Sequence, residues 1–256
     1  MMWVDLDGAV NVRDLGGLPA GDGRQVAAGR LLRGDDMNDL SAADVDLLVI
    51  QIGLTTVIDL RSPAEVQDRG PGPLIRAGPV RNVNHSLLPE LGIAAEVTDA
   101  MAARIDRALA RCPGDVRCGL YLGYLEERPA QVVAAMRDIA RADGAVLVHC
   151  AAGKDRTGVI VALALSVAGV RRDAVIADYA ATAERIGPLL ARLRGAKTYA
   201  PGVEREPAGE HVPQAGTMAA FLDQVDSRYG GVRRWLSGYG FGAADVRMLR
   251  SRLLDA

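Results

Sequence analysis

The sequence predicts an α/β fold: a central, largely parallel sheet flanked by helices on both faces, with a helical lid insertion. Three observations predict it. Short β-rich apolar runs, "TTVIDL" (55–60) and "AVLVHC" (145–150), are separated by helical patterns, the arrangement of a parallel sheet covered on both sides. The stretch from Thr157 to Ala168 is apolar all round and reads as a buried helix. The segment 195–216 carries Pro201, Pro207 and Pro213 among several glycines, and a structureless connection of that length inside a compact domain is a functional lid or disordered.

Taken in chain order, the punctuation between Asn11 and Asp36 predicts short strands and turns, with "GRLLRG" (29–34) as a strand. Ser41 and Asp44 form a capping-box pattern ahead of "VDLLVIQIG", a helix. After the 55–60 strand, Ser62, Pro63 and Glu65 supply the N-cap, first-turn proline and capping glutamate of a short helix ending near Gly70. Ile93, Val97, Met101, Ile105 and Leu109 recur every four residues in an amphipathic helix whose stripe is expected to serve core or lid packing. A further helix should run from Pro129 to Gly144, leading into the 145–150 strand. A helix-like run at 183–195 precedes the proline-rich segment, so the lid is expected around 183–216. "TMAAFLDQVDSRYGG" and "AADVRMLRSRLL" read as C-terminal helices joined through "VRRWLSGYGFG". No internal repeat or low-complexity tract divides the chain, so residues 1–256 are read as one domain.

Composition narrows the function classes. Of 256 residues 49% are hydrophobic, enough for a sizeable core. The formal net charge is -2, which gives no bulk attraction to nucleic acid or an anionic membrane. Three cysteines, an odd number, argue against a disulfide scaffold and fit a reducing compartment. The N-terminus has acidic residues where a signal peptide has basic ones. The run Val159–Val170 falls short of the about 20 residues a membrane-spanning helix needs. The expectation is a soluble cytoplasmic protein with no transmembrane segment.

The stretch "HCAAGKDRTG" (149–158) holds one of the three cysteines and one of only two lysines. A strand ending at Cys150 and a helix beginning near Thr157 make "AAGKDR" a loop at the carboxyl end of a strand, where open α/β sheets bind ligands. Backbone N–H groups of Ala151, Ala152, Gly153, Lys154, Asp155 and Arg156, with the free donors of the helix N-terminus, make an anion site. Gly153 permits the backbone angles needed to close such a loop, and the Arg156 fork grips two oxygens at once. A positive field of that kind also stabilises a thiolate, so the groups that bind phosphate would activate Cys150 to attack it.

His149-Cys150-x5-Arg156-Thr157 resembles the signature of the cysteine-dependent protein tyrosine phosphatases. The fuller "HCAAGKDRTG", with "NVRDLGG" (11–17), "VIDLRSPAE" (57–65) and "YGGVRRWL", is similar to a bacterial branch of atypical tyrosine phosphatases. Some of its members also accept phosphoserine, phosphothreonine and phosphoinositides. Val12 stands where that branch usually has phenylalanine. The resemblance implies the cysteine-phosphatase fold and a two-step reaction without metal or other cofactor. In it Cys150 is the nucleophile, Arg156 and the loop amides bind phosphate, and Thr157 helps the thiolate leave. His149 orients the loop and is not a base. The implied partner is a phosphorylated protein or a phosphoinositide, with inhibition by phosphate or vanadate-like oxyanions. The general acid is Asp155 by preference, since it follows Lys154 inside the loop, with Asp59 at the end of "VIDL" as competitor. Lys154 would add charge at the pocket mouth, against the blander reading of a solvated rim residue.

Rival readings are weaker. A nucleotide-binding glycine loop needs Gly and Ser/Thr where Val148 and Asp155 stand. Adjacent His149 and Cys150 point to opposite faces of a strand, and Cys112 and Cys118 lack ligand spacing, so a metal site is not expected. Cys112 and Cys118 read as ordinary thiols, and a resolving role toward oxidised Cys150 has no support in the sequence. A catalytically dead phosphopeptide-binding module would usually lack Cys150 or Arg156. His85 and His211 sit in no motif, and Trp3 and Trp235 read as packing residues.

Overall fold

The apolar run 145–149 becomes the centre of the molecule. The computed structural model describes residues 1–70, 72–88, 94–204 and 207–255. Its described strands are β1 (Met2–Trp3), β2 (Arg13–Asp14), β3 (Leu31–Gly34), β4 (Leu54–Asp59), β5 (Arg81–Asn84) and β6 (Ala145–His149), in the sheet order β1-β2-β3-β6-β4-β5. The four strands β3, β6, β4 and β5 run parallel, and β2 and β1 extend the sheet antiparallel beyond β3.

Every residue of β6 is buried. Because side chains alternate across a strand, Val146 and Val148 enter one apolar layer and Ala145 and Leu147 the other. The first layer is closed by the helix Asp155–Ala168, buried on almost every side. The second is closed by Leu48, Leu74 and Met37. Helices cover both faces, as expected.

Local chemistry sets the ends of the flanking helices. Ser41 and Asp44 form a complete capping box for Ala42–Asp46, which runs on as a π-turn over Leu47–Gln51. Ser62 and Glu65 form another for Pro63–Arg69, with Pro63 in the first turn and Gly70 (φ 71°) past its end. The helix predicted from Pro129 spans Pro129–Arg141, and the C-terminal helices are Ala215–Tyr229, Val232–Gly238 and Ala243–Leu253. Two helices, Val116–Glu127 and Arg172–Ala181, have no counterpart in the sequence pattern. The first buries Cys118, Gly119, Tyr121, Leu122, Gly123, Tyr124 and Leu125 in near succession, which erases a one-sided stripe.

Two expectations are corrected. The described part of the 93–109 stripe does not serve as core: in the helix Ala94–Arg111, Ile105 and Leu109 are exposed while Ala108 is buried. Ala108 packs directly over Gly119, where any Cβ would collide with its carbonyl, so the small residues set the contact. Ile93 and the side chains of Val97 and Met101 lie outside the described residues. The segment 195–216 is not structureless either. It contains the helix Ala200–Glu204, a 3₁₀ turn at Ala208–His211, and the start of the next helix at Ala215. Pro201 falls in a first turn and Pro207 caps the 3₁₀ turn, positions where a missing N–H costs nothing.

The consequence for function is topological. Gly34 and Asp59 are the parallel register partners of His149, so β3, β6 and β4 end side by side. The residues that follow (Asp35 and Asp36, Leu60 and Arg61, Cys150 to Lys154) must meet at one edge of the sheet. Among the described residues no helix is long and apolar enough to cross a membrane.

Candidate active site

The loop 150–154 is held from outside by its carbonyls. The Ala151 carbonyl accepts from the Asp36 N–H (3.1 Å), Ala152 from Asn11 Nδ2 (2.8 Å), and Gly153 from Arg33 Nη2 (2.7 Å). The Lys154 carbonyl takes the Gly158 N–H of the following helix (3.0 Å). In a trans peptide the N–H points opposite to the carbonyl it shares a plane with. Four carbonyls turned outward therefore turn the N–H groups of Ala152, Gly153, Lys154 and Asp155 inward. None of those four donates to a protein acceptor among the described residues. With the positive end of the 14-residue helix Asp155–Ala168, they form an anion cradle.

Gly153 is required for that geometry. Its φ is 64°, and a Cβ there would press into the Gly34 carbonyl. Gly158 serves a different purpose: an added Cβ would lie 2.9 Å from the Tyr179 ring and 3.6 Å from Arg33 Nη2. The last glycine of the motif makes room for the Tyr179 ring beneath the loop.

Cys150 stands at the start of the cradle and is 2% exposed. Thr157, one turn into the helix, has its Oγ1 buried without a hydrogen-bond partner among the described residues, and so does His149 Nδ1. Burial takes the His149 ring below its usual pKa despite Asp59 nearby. Arg156 is gripped end-on by Glu65, Nη1 at 2.6 Å from Oε2 and Nη2 at 2.9 Å from Oε1. This leaves the Nε edge of the guanidinium for two oxygens of an incoming ester. Glu65 Oε2 also accepts the Ser62 N–H at 2.7 Å, so one carboxylate caps a helix and aims the arginine.

The two candidate acids occupy different surroundings. Asp59 is locked to Arg61 (Oδ2 to Nη2 2.7 Å, Oδ1 to Nε 3.0 Å) and lies 3.9 Å from His149 Nε2. Burial pushes its pKa up, but His149 and Arg61 together hold it below the ordinary carboxylate range. Asp155 opens the loop helix. It accepts the Tyr121 hydroxyl at 2.5 Å and has Lys154 Nζ at 3.5 Å and Arg117 Nη1 at 3.7 Å. Burial works to raise its pKa as well, and Lys154, Arg117 and the Tyr121 hydroxyl outweigh it.

Lys154 is corrected by the structure: it is 4% exposed, not a solvated rim residue, and its Nζ donates to the His211 carbonyl at 3.0 Å. Residues 186–204 and 207–211 lie over the site. Leu189, Leu190, Leu193, Tyr199 and Val203 form one apolar cluster with Ala151 of the loop. Tyr199 donates to Asp36 Oδ2 at 2.6 Å, and Arg192 Nη2 reaches the Asp36 carbonyl (3.1 Å) and Asp39 (3.0 Å).

His85 binds Asp138 (2.7 Å), and the His211 ring contacts the Val203 carbonyl (3.1 Å). Cys112, Cys118 and Cys150 are free and buried. Trp3 lies between the guanidinium groups of Arg13 and Arg185, each 4.9 Å from its ring, and Trp235 is buried. Among the described residues no group of three or more His, Cys, Asp or Glu is placed to hold a metal ion. The sequence reading missed Asn11, Arg33, Asp36, Glu65 and Asp178. Asn11 was within reach, being the first residue of "NVRDLGG", and Glu65 closes "VIDLRSPAE" but was read only as a helix cap; Arg33, Asp36 and Asp178 carry no motif of their own.

A thiol at the mouth of an amide-lined anion loop, at the carboxyl end of a parallel strand, is the architecture of a phosphatase. The model of the tyrosine phosphatase family matches residues 4–255, and the chain belongs to that family. It is 30% identical over 243 residues to a tyrosine-protein phosphatase of Nostoc commune, covering 93% of this chain and 79% of the relative. It is also 30% identical over 281 residues to the triple specificity protein phosphatase PtpB of Mycobacterium tuberculosis, covering 98% of both. The protein is a phosphoric monoester hydrolase.

Proposed function

We infer that the chain hydrolyses phosphate monoesters of proteins, phosphotyrosine with phosphoserine or phosphothreonine, through a phosphocysteine at Cys150. The observation that carries this reading is the placement of Cys150 in a loop whose four carbonyls are all turned outward. The free N–H groups and the Nε edge of Arg156 hold the three non-bridging oxygens of the ester. Cys150 Sγ attacks phosphorus in line as the bond to the leaving oxygen breaks, and Asp155 donates the proton that oxygen needs. In the second step Asp155 takes a proton from water as the water oxygen attacks phosphorus and the P–S bond breaks. The orphaned Thr157 hydroxyl then donates to the departing sulfur. Asp155 is preferred over Asp59 because Asp59 is already held by a two-pronged ion pair with Arg61. Barrier lowering comes from fixed dipoles and positioning, with the loop amides doing most of it.

The 186–211 segment is read as a lid, since it buries Ala151 and ties Lys154 and Asp36 to itself. Lys154 favours phosphoinositides as a second substrate reading. Once released from the His211 carbonyl, it supplies a second cation beside the cradle for a multiply charged headgroup.

The test is hydrolysis of p-nitrophenyl phosphate in excess chelator by wild type and Cys150→Ser. Turnover is expected to persist with chelator and to fall by ~10⁴ or more in the variant, while inorganic phosphate still binds. Normal turnover by Cys150→Ser removes the cysteine mechanism. Phosphopeptides and phosphoinositide vesicles, compared by kcat/KM, decide between the two substrate readings.

A further inference from the structure

Beneath the phosphate loop lies a buried ionic cluster that the reaction as written does not use. Arg13, Arg33 and Asp178 are 0%, 0% and 2% exposed. Asp178, on the helix Arg172–Ala181, bonds Arg13 Nε through Oδ1 (2.8 Å) and Arg33 Nη1 through Oδ2 (2.6 Å). Burial lowers the Arg13 pKa to about 10, still far above neutrality. For Asp178 burial acts upward, but the two arginines keep its carboxyl below the usual range. The cluster therefore holds two cations and one anion, a surplus of one positive charge. Its remaining neighbours do not cancel that surplus: Glu184 is exposed and bonded to Trp3 Nε1, and Asp35 accepts the Val10 and Asn11 N–H groups and faces Arg192. Closer to the pocket, Arg156 is matched by Glu65, and Arg61 and Arg69 together by Asp59 and Asp36.

Arg33 carries the surplus to the loop. Its Nη2 holds the Gly153 carbonyl at 2.7 Å while its Nη1 holds Asp178. Arg13 supports the next bond along, donating to Asn11 Oδ1 (2.8 Å) while Asn11 Nδ2 holds the Ala152 carbonyl. We propose that Arg33 is a positioning residue of this phosphatase, fixing the loop amides toward phosphate and presenting to them, through the Arg13–Asp178–Arg33 cluster, an uncompensated buried positive charge. The planar fork supplies the geometry, because one ammonium group cannot span Asp178 and Gly153 in the same fixed way. The surplus charge supplies the attraction, acting through a medium far less polarisable than water.

The proposal rests on the anion cradle assigned above, and two readouts keep the two apart. Calorimetric titration with inorganic phosphate needs no turnover, and kcat with p-nitrophenyl phosphate reads the chemistry. Failure of wild type to bind phosphate rejects the cradle itself; differences among variants judge Arg33. Arg33→Lys keeps the charge and loses the fork: phosphate affinity within about threefold of wild type is expected, with kcat down by ~10². Arg33→Met loses both, and phosphate affinity should also fall about tenfold. Asp178→Asn raises the surplus charge, and phosphate should bind at least about threefold tighter even though the fold is less stable. A merely structural role predicts weaker binding in Asp178→Asn, so the sign of that change decides even if Arg33→Met does not fold. Wild-type kcat in Arg33→Lys, or phosphate bound no tighter by folded Asp178→Asn, overturns the proposal.

Discussion

Replacing Lys154 by methionine should move the alkaline limb of the pH–rate profile upward by about one pH unit. In the proposed mechanism Asp155 serves the first step in its protonated form, so activity toward esters with poor leaving groups is lost as pH rises through its pKa. Lys154 is foremost among the groups that lower that pKa. Its Nζ lies 3.5 Å from Asp155 Oδ2. Coulomb attraction at that distance is worth about 5 kcal/mol at an effective dielectric of ~20 and about 1 kcal/mol in bulk water. The Asp155 side chain is 27% exposed, so solvent screening leaves about 1–2 kcal/mol, or about a tenfold change in proton affinity. Removing the cation raises the pKa of the acid, and more of it stays protonated at any pH on that limb. The assay is kcat/KM for a series of aryl phosphates from about pH 2.5 to about pH 7, a window that spans the depressed carboxyl of Asp155 and reads the free enzyme. The shift should be largest for the poorest leaving group and disappear when Asp155→Asn is added to the same variant. A limb that stays in place, or moves to lower pH, refutes the assignment of Asp155 as the acid held down by Lys154. A limb shift that survives Asp155→Asn and vanishes with Asp59→Asn transfers the role to Asp59.

Gly153→Ala should lower stability by about 1–3 kcal/mol, since the backbone is at φ 64° and the Gly34 carbonyl occupies the Cβ position. Thermal unfolding measures it, and an unchanged midpoint would show that the loop relaxes freely. Tyr199→Phe removes the bonds to Asp36 and Arg61 and should speed proteolytic cleavage within 186–211 severalfold, with vanadate protecting wild type differently from the free enzyme. Identical cleavage with and without vanadate counts against a lid. Asp178 has a depressed pKa, so its contribution to stability is present above its unfolded pKa of about 4 and is lost as pH falls through the lower folded value. Acid unfolding of wild type should therefore be steeper below about pH 4 than that of Asp178→Asn. Equal slopes would place the acid transition elsewhere.

The sequence carried the site's first layer because its geometry is local. A strand, a glycine at positive φ and a helix N-terminus lie within ten consecutive residues, and "HCAAGKDRTG" states all three. Ser62 and Glu65 were legible as a capping box for the same reason, since a cap spans three residues. The second use of Glu65, gripping Arg156 across 91 positions, leaves no local trace. Arg33 looked like an ordinary strand residue, and Asp178 lies in a helix the sequence pattern did not show. Their pairing, 145 positions apart, exists only because β3 lies beside β6 and the helix Arg172–Ala181 passes beneath the loop.

The errors have the same cause with the sign reversed. Pro201, Pro207 and Pro213 break helices in isolation, yet the segment between 195 and 216 is partly helical. Val203 and Tyr199 gain more by packing toward Ala151 than the chain loses in a few ordered turns. Ile105 and Leu109, two of the five residues of a regular stripe, face outward, because the approach of Ala108 to Gly119 fixes the rotation of that helix. Lys154 is the instructive case for function. Its position in the motif is a sequence fact, whereas its engagement with the His211 carbonyl and Asp155 depends on where the 186–211 segment lies. This loop lysine is, in this conformation, occupied by the His211 carbonyl and by Asp155. On the proposed mechanism phosphate therefore competes for the same ammonium that restrains Asp155, and a substrate that wins it raises the proton affinity of the acid that mechanism needs.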